Sequence, residues 1–269
     1  MAAANRFLPA IAFAALLVLT GRPVHADPDA PVRALADGGQ ATVSGIVDGD
    51  TVLLADGREV RLVGIQAPKL PLGRRNFLKW PLADRARSAL ESLTLGRTVF
   101  LSYGGQRVDR HGRQLAQLTL DDGSWVQRIL LSQGLARVYS FADNRALVAE
   151  MLAAERAARQ ARAGIWDNPF YAIRSPFDLA RDIGTFQLVE GLVLDAARVR
   201  GMTYLNFGED WRTDFTVVVR KEFRAAFEEA GFDLLALKGR RVRIRGWLDN
   251  WNGPLIAATH PEQIEVLGD

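Results

Sequence analysis

The sequence predicts a mainly β protein with packed helices, an α+β chain folded as two small barrels in tandem. Three observations lead there. Short apolar runs recur between Asp-Gly and Gly-rich turn signals, beginning with Val43 to Ile46, Thr51 to Leu54 and Glu59 to Ile65 around Asp48-Gly49 and Asp56-Gly57. Only a few stretches carry helical spacing, and each stops at a glycine or a proline. The chain has 269 residues, 48% hydrophobic, with no cysteine, so two cores of ordinary size must supply the stability without disulfides or thiolate metal sites.

Taken in order, residues 1–26 resemble a signal peptide. Arg6 is a basic start, Phe7 to Thr20 is an apolar run broken only by Pro9, and Val24-His25-Ala26 offers small residues at the cleavage positions. The run is shorter than the roughly 20 residues of a spanning helix. The expectation is export to the periplasm or the medium after cleavage at Ala26, with no stable membrane anchor. Residues 27–40 read as a flexible lead-in and residues 41–170 as the first domain. After its three-strand meander, Pro68 ends the third strand. A helix over Ala83 to Leu95, strands at Val99 to Tyr103 and Gln114 to Leu120, and helices at Ser124 to Gln133 and Arg145 to Arg162 complete that domain.

Residues 171–186, with Pro176 and mixed polarity, read as a linker, and residues 187–269 as the second domain. There the order is Leu188 to Val199, Met202 to Phe207, Asp214 to Val219, a helix over Glu222 to Leu237, Arg241 to Leu248, and Leu255 to Val266 broken at Pro261. A helix between the third and fourth strands predicts an OB-type barrel. Charge divides the halves. Residues 41–170 hold 18 Lys and Arg against 13 Asp and Glu, whereas residues 171–269 hold 13 against 15. A polyanion suits the first half better.

Three short motifs carry the chemistry: Val47-Asp48-Gly49-Asp50-Thr51, Arg61-Leu62-Val63-Gly64-Ile65-Gln66-Ala67-Pro68-Lys69, and Asp109-Arg110-His111-Gly112-Arg113. With Gly134-Leu135-Ala136 and Gly164-Ile165-Trp166 following, their order and spacing resemble the staphylococcal thermonuclease family over about half of the chain. The resemblance implies a five-stranded OB-type barrel and a calcium-dependent phosphodiesterase. In that family two aspartates and a backbone carbonyl hold calcium, a glutamate activates water, and two arginines clamp the phosphate. Asp50 matches the first calcium aspartate, Asp48 the carboxylate beside it, Ala67 the carbonyl donor, and Arg61 and Arg113 the clamp, whose planar forks suit phosphate. Gln66 stands where a calcium aspartate is expected and Lys69 where the general-base glutamate is expected.

Those two replacements predict a degenerate site. Gln66 offers an oxygen without charge, and calcium affinity follows ligand charge. Lys69 brings an ammonium that already holds its proton, so it is no base, and the space a cation would fill is where it would meet Asp50. No cofactor is expected, or calcium if the site is active. The expected partner is single-stranded nucleic acid or another phosphate-bearing anion. Two alternatives stand beside this: an active nuclease with another acid in the site, Asp84 and Asp109 being nearest in sequence, and a scaffold for an envelope protein. Arg110 and His111 are candidate nucleotide contacts. In the second domain Arg241, Arg243 and Arg245 alternate with Val242 and Ile244 up to Trp247, a basic strand face with Trp247 and Trp251 as stacking platforms. Tyr204, Phe207, Trp211 and Phe215 are read as core.

Overall fold

The computed structural model describes residue 32 and residues 34–268. The signal-like segment 1–26 lies outside the described residues, and among the described residues no helix is long and apolar enough to cross a membrane. The first domain starts with β1 (Ala36–Asp48), β2 (Thr51–Leu54), β3 (Glu59–Leu62) and β4 (Gly64–Gln66). Helix α1 (Ala83–Thr94) comes next, then β5 (Thr98–Tyr103) and β6 (Gln114–Thr119). Strands β1-β2-β3-β6-β5 form a closed barrel in which β3 and β6 are parallel. Alternation places Val43, Val52, Leu54, Val60, Leu62, Val99, Leu101 and Leu118 in its core.

Strand β1 begins within the stretch read as a lead-in, because Ala36 to Thr42 pair along Thr98 to Tyr103. Main-chain pairing needs no apolar pattern, so composition gives no sign of it. A second difference bears on the site. The run Glu59 to Ile65 is broken at Gly64, whose φ of 85° turns the chain out of the barrel. A Cβ there would run into Met151. The detached β4 pairs instead with β7 (Arg137–Tyr139), a strand too short to leave a periodic signature. Helices α2 (Val126–Ser132) and α3 (Val148–Gln160) cover the barrel, and α3 buries Val148, Met151, Leu152, Glu155 and Ala158 at helical spacing. Ile165 N donates to Gly134 O at 2.8 Å, which ties the two late motifs together.

The segment 171–186 packs along the second domain: Leu179 sits in its core and Arg174 N donates to Leu188 O at 2.8 Å. That domain comprises β8 (Phe186–Leu192), β9 (Asp195–Val199), β10 (Met202–Asn206), β11 (Thr216–Val219), α4 (Arg224–Glu229), β12 (Arg241–Asn250), β13 (Pro254–Ala257) and β14 (Ile264–Val266). They make one seven-stranded sheet, ordered β14-β12-β13-β11-β10-β9 with β8 also on β12. Because β12 pairs with β8 and β14 in its first half and with β13 in its last, the sheet curls around Phe207, Phe215, Val217, Ile244 and Ile256. Helix α4 lies between β11 and β12, as expected for an OB-type arrangement.

The two domains meet along β7 and the outer face of β12. Val242, Ile244 and Leu248 point into the second core, which turns Arg243, Arg245 and Trp247 outward. Arg245 is 1% exposed, and its guanidinium reaches Glu155 of α3 at 3.0 and 3.1 Å and Glu265 at 2.6 Å. Arg159 bonds the same two carboxylates at 2.5 and 3.1 Å, and Val138 N donates to Glu155 at 2.6 Å. Arg156 and Arg243 approach Glu265 as well, at 3.7 and 3.9 Å, so each of the two glutamates in this seam is met by more than one arginine. Beside it His260, fully buried, meets Ser140 Oγ at 2.7 Å through Nε2 and Thr259 Oγ1 at 2.9 Å through Nδ1. Arg145 holds Glu262 with two charge-assisted bonds of 2.9 and 3.0 Å.

Removing one member of such a buried network leaves the others uncompensated, at a cost of about 3–5 kcal/mol. Glu155→Ala is therefore expected to lower stability by that amount and to separate the unfolding of the two domains. Calorimetry of the full chain would show a lower, split transition in place of a single one. The seam also predicts a pH dependence. Burial pulls the His260 imidazole down to about 4 from 6.5, so folding holds it neutral where the unfolded chain takes up a proton. Stability is expected to be full above pH 6.5 and to fall as the pH drops toward about 4. Glu265 is drawn down to about 2, its burial outweighed by Arg245 and Arg159, and adds a further decline only below 4.5. Denaturant midpoints for the native chain and His260→Gln between pH 4 and 7.5 test this, the variant losing the upper step.

Candidate functional site

The turn between β1 and β2 and the segment after β4 bring Asp48, Asp50, Arg61, Ala67 and Lys69 together. Asp50 is fully buried, and each of its oxygens is engaged. Lys69 Nζ donates to Oδ1 at 2.9 Å and to Oδ2 at 2.8 Å, and Ala67 N donates to Oδ2 at 2.7 Å. Arg61 Nη2 lies 3.3 Å from the same Oδ2. Burial pushes the Asp50 carboxyl up, but the Arg61 and Lys69 charges outweigh it and hold it far below the usual range. Asp48, with Lys69 Nζ at 3.6 Å, moves the other way: burial first and then the Asp50 charge raise it. Two cations, Lys69 and Arg61, thus face the Asp50 carboxylate, and Lys69 also reaches Asp48.

The structure commits Arg61 inward. Its Nη1 donates to Leu62 O and its Nη2 to Ile65 O, both at 2.5 Å, so this guanidinium stitches β3 to β4. A phosphate at Arg61 would have to displace main-chain bonds. Arg113 is half-exposed and rests on Asp109, with Nε and Nη2 at 2.8 and 2.7 Å from Oδ2. Asp109 Oδ1 accepts from the His111 and Arg113 amides, and those bonds with the Arg113 side chain overcome burial and lower its pKa. Asp84 pairs at the surface with Lys79. Neither Asp84 nor Asp109 enters the Asp50 cluster.

Gln66 is also occupied. Its Oε1 accepts from Arg137 Nε at 3.0 Å and Nη2 at 2.7 Å, and Arg137 in turn donates to Phe186 O at 3.0 Å. Arg137, whose buried guanidinium is pulled down to about 10 mainly by desolvation, therefore carries the site into the second domain. Nothing in the motifs pointed to it; the available signal was a cation inside the apolar run Leu135 to Val138.

Alongside this cluster a groove of about 610 Å³ runs between the domains. Arg110, His111, Arg113, Tyr139 and Phe141 are among its lining residues, and the second domain contributes Trp247 of β12, its Nε1 donating to Tyr139 Oη at 2.9 Å. The Tyr139 and Phe141 rings stand edge to face with centroids 4.8 Å apart. Alternation in a strand already places residues i and i+2 on one face, which is the signal that could have found them. Arg241 and Arg243 are elsewhere. They pair with Glu190 at 3.1 and 2.7 Å, so the basic strand face expected there is neutralised by acids from β8 and β14. Tyr204 and Trp211, read as core, lie on the outer face of the second sheet, whereas Phe207 and Phe215 are core.

The sequence profile of the staphylococcal nuclease homologues matches residues 59–168. A protein of Escherichia coli O157:H7 described as an uncharacterized endonuclease is 31% identical over 126 residues, which cover 46% of this chain and 74% of that one. The chain belongs to the staphylococcal nuclease homologues. Among other members, the Bacillus subtilis endonuclease YncB is 28% identical over 142 residues, covering 51% of this chain and 66% of its own length. Similarity to the B. subtilis endonuclease YhcR, 27% over 202 residues, covers 71% of this chain but 16% of that one. The matched profile begins after Asp48 and Asp50, and its span includes Gln66, Lys69 and Arg113.

Proposed function

We propose that this nuclease homologue binds nucleic acid in the groove between its domains and does not cleave it. The observation that carries the reading is the Lys69 ammonium, which lies within 2.9 Å of both Asp50 oxygens. Calcium requires six to eight oxygen ligands and favours sites rich in carboxylate charge. Here two carboxylates are shared with an ammonium and a guanidinium, and the Gln66 oxygen is held by Arg137. Among the described residues no three His, Cys, Asp or Glu side chains gather as a ligand set. The residues present do not fit calcium. With no carboxylate at position 69 to take a proton from water, the general-base contribution of roughly 10²- to 10⁴-fold is lost as well.

The groove retains what binding needs. Arg110 and Arg113 can meet phosphates, and Tyr139, Phe141 and Trp247 offer rings on which bases can stack. The excess of basic residues in the first domain supports the same reading. Bases must be unpaired to reach these rings, which favours a single strand. We also propose export, supported by the apolar run Phe7 to Thr20. N-terminal sequencing from the native host should begin at Asp27, and an intact Met1 would remove that proposal.

The purified chain is expected to show no calcium-stimulated cleavage of DNA or RNA and no heat of calcium binding by titration calorimetry. Gln66→Asp combined with Lys69→Glu should introduce measurable calcium binding. Oligonucleotide binding should be metal-independent, fall steeply with salt through counterion release, and weaken several-fold in Arg113→Ala. Calcium-dependent cleavage by the native chain that Arg113→Ala abolishes would overturn the reading.

A further inference from the structure

The second domain holds a cavity of about 480 Å³ on the outer face of β9, β10, β11 and β13, which the function above does not use. Its walls carry three aromatic rings, Tyr204, Trp211 and Trp251, the two tryptophans being 52% and 69% exposed. Large aromatic surface left in water so close together is unusual unless something covers it. The loops that carry the tryptophans are built. Gly253, at φ 90°, lets its turn press against the main chain of Thr213, and Trp251 N donates to Gly253 O at 3.0 Å. In the other loop Asp210 N donates to Asp214 Oδ2 at 2.9 Å. Rings on such loops are held apart and outward, ready for flat ligands.

Strand register connects this cavity to the groove. Trp247, which lines the groove, and Asp249 alternate onto the same face of β12. Asp249 pairs with Leu255, Leu255 with Thr216, and Thr216 with Asn206, all three partners being cavity residues. From Trp247 to the row of Tyr204 is three strand spacings, about 14 Å. The charge along this path is mixed. Arg220 lines the cavity and makes no ion pair among the described residues, Arg212 lies over the Trp211 ring at 4.7 Å with Asp210 at 3.8 Å, the carboxylate of Asp195 is matched by Lys238 at 2.7 Å, and Asp249 has no ion pair among the described residues, so the aromatic rings rather than net charge carry the argument.

We infer that the second domain extends the binding site: one nucleic-acid strand leaves the groove past Trp247, crosses the sheet face, and stacks its bases on the Tyr204, Trp211 and Trp251 rings. This rests on the nucleic-acid reading of the groove. A strand that fills both places is longer than one that fills the groove alone, within the roughly 4–16 nucleotides that one such domain accommodates.

Fluorescence anisotropy with labelled oligothymidylates of 4 and 16 nucleotides tests this on the full chain. The 16-mer is expected to bind at least a hundredfold more tightly than the 4-mer, well beyond the roughly tenfold that its extra registers on a four-nucleotide groove would give by statistics alone. Trp251→Ala, an exposed position whose loss leaves both cores intact, should weaken the 16-mer about five- to a hundredfold and leave the 4-mer unchanged, as loss of one stacked base requires. Circular dichroism checks the fold of the variant. A 16-mer advantage of only about tenfold, the statistical gain of its extra registers, unaffected by Trp251→Ala while both lengths are weakened by Arg113→Ala, overturns the extension and leaves the groove reading intact. If neither oligomer binds at low salt, both fail. Binding of a neutral oligosaccharide such as chitotetraose that is lost in Trp251→Ala, without a length effect for DNA, would assign the cavity to a glycan instead.

Discussion

The Glu155 carboxylate is the point on which the arrangement of this molecule turns. It is wholly buried, it accepts from the Val138 amide, and it receives Arg159 from its own helix and Arg245 from the other domain. A carboxylate left bare at such depth is costly, so the arginine that the second domain presents there is held firmly, and Glu265 shares it at 2.6 Å. Once Arg245 is docked, the pleat of β12 places Trp247 two residues on, against Tyr139. The groove exists because of that placement.

A second constraint acts within the first barrel. A site that elsewhere in the family gathers carboxylates around a metal must, in this chain, balance Asp48 and Asp50 from its own residues. Lys69 does so in part, and Arg61 completes the balance while bracing β3 against β4 through two carbonyls. The two aspartates respond in opposite directions, Asp50 kept ionised by its cations and Asp48 raised by burial and by its neighbour. Arg137 performs a similar service for Gln66 and carries the interaction across to Phe186 O. Through Gln66 and Arg137 the second motif takes part in the packing that joins the domains.

Strand β12 illustrates how one alternating sequence can serve three surfaces. Val242, Ile244 and Leu248 fill the second core, Arg243 and Arg245 meet the acids of the seam, and Trp247 and Asp249 continue the same outer face toward open aromatic rings. Read as charge alone, the run suggests a basic surface. Its partners, Glu155, Glu190 and Glu265, come from α3, β8 and β14, and they convert most of that charge into cohesion.

By itself the sequence determined the class of fold, the closed first barrel and the family, because apolar alternation, Asp-Gly turns and the spacing of the three motifs are local properties. It also placed Lys69 beside Asp50, since a cation in a pocket of aspartates has few other partners. The tertiary structure decided the rest. Ala36 to Thr42 joined a strand through main-chain pairing that leaves no apolar pattern, and Gly64 split a run that periodicity reads as one strand. Arg61 turned inward because carbonyls two strands' ends brought together needed its donors, while Arg241 and Arg243 met acids more than fifty residues away in sequence. Tyr204 and Trp211 came to the surface because the curl of the second sheet, rather than their hydrophobicity, chose which face is core. Each of these outcomes is a long-range pairing, and long-range pairings are what a linear pattern of residues does not contain.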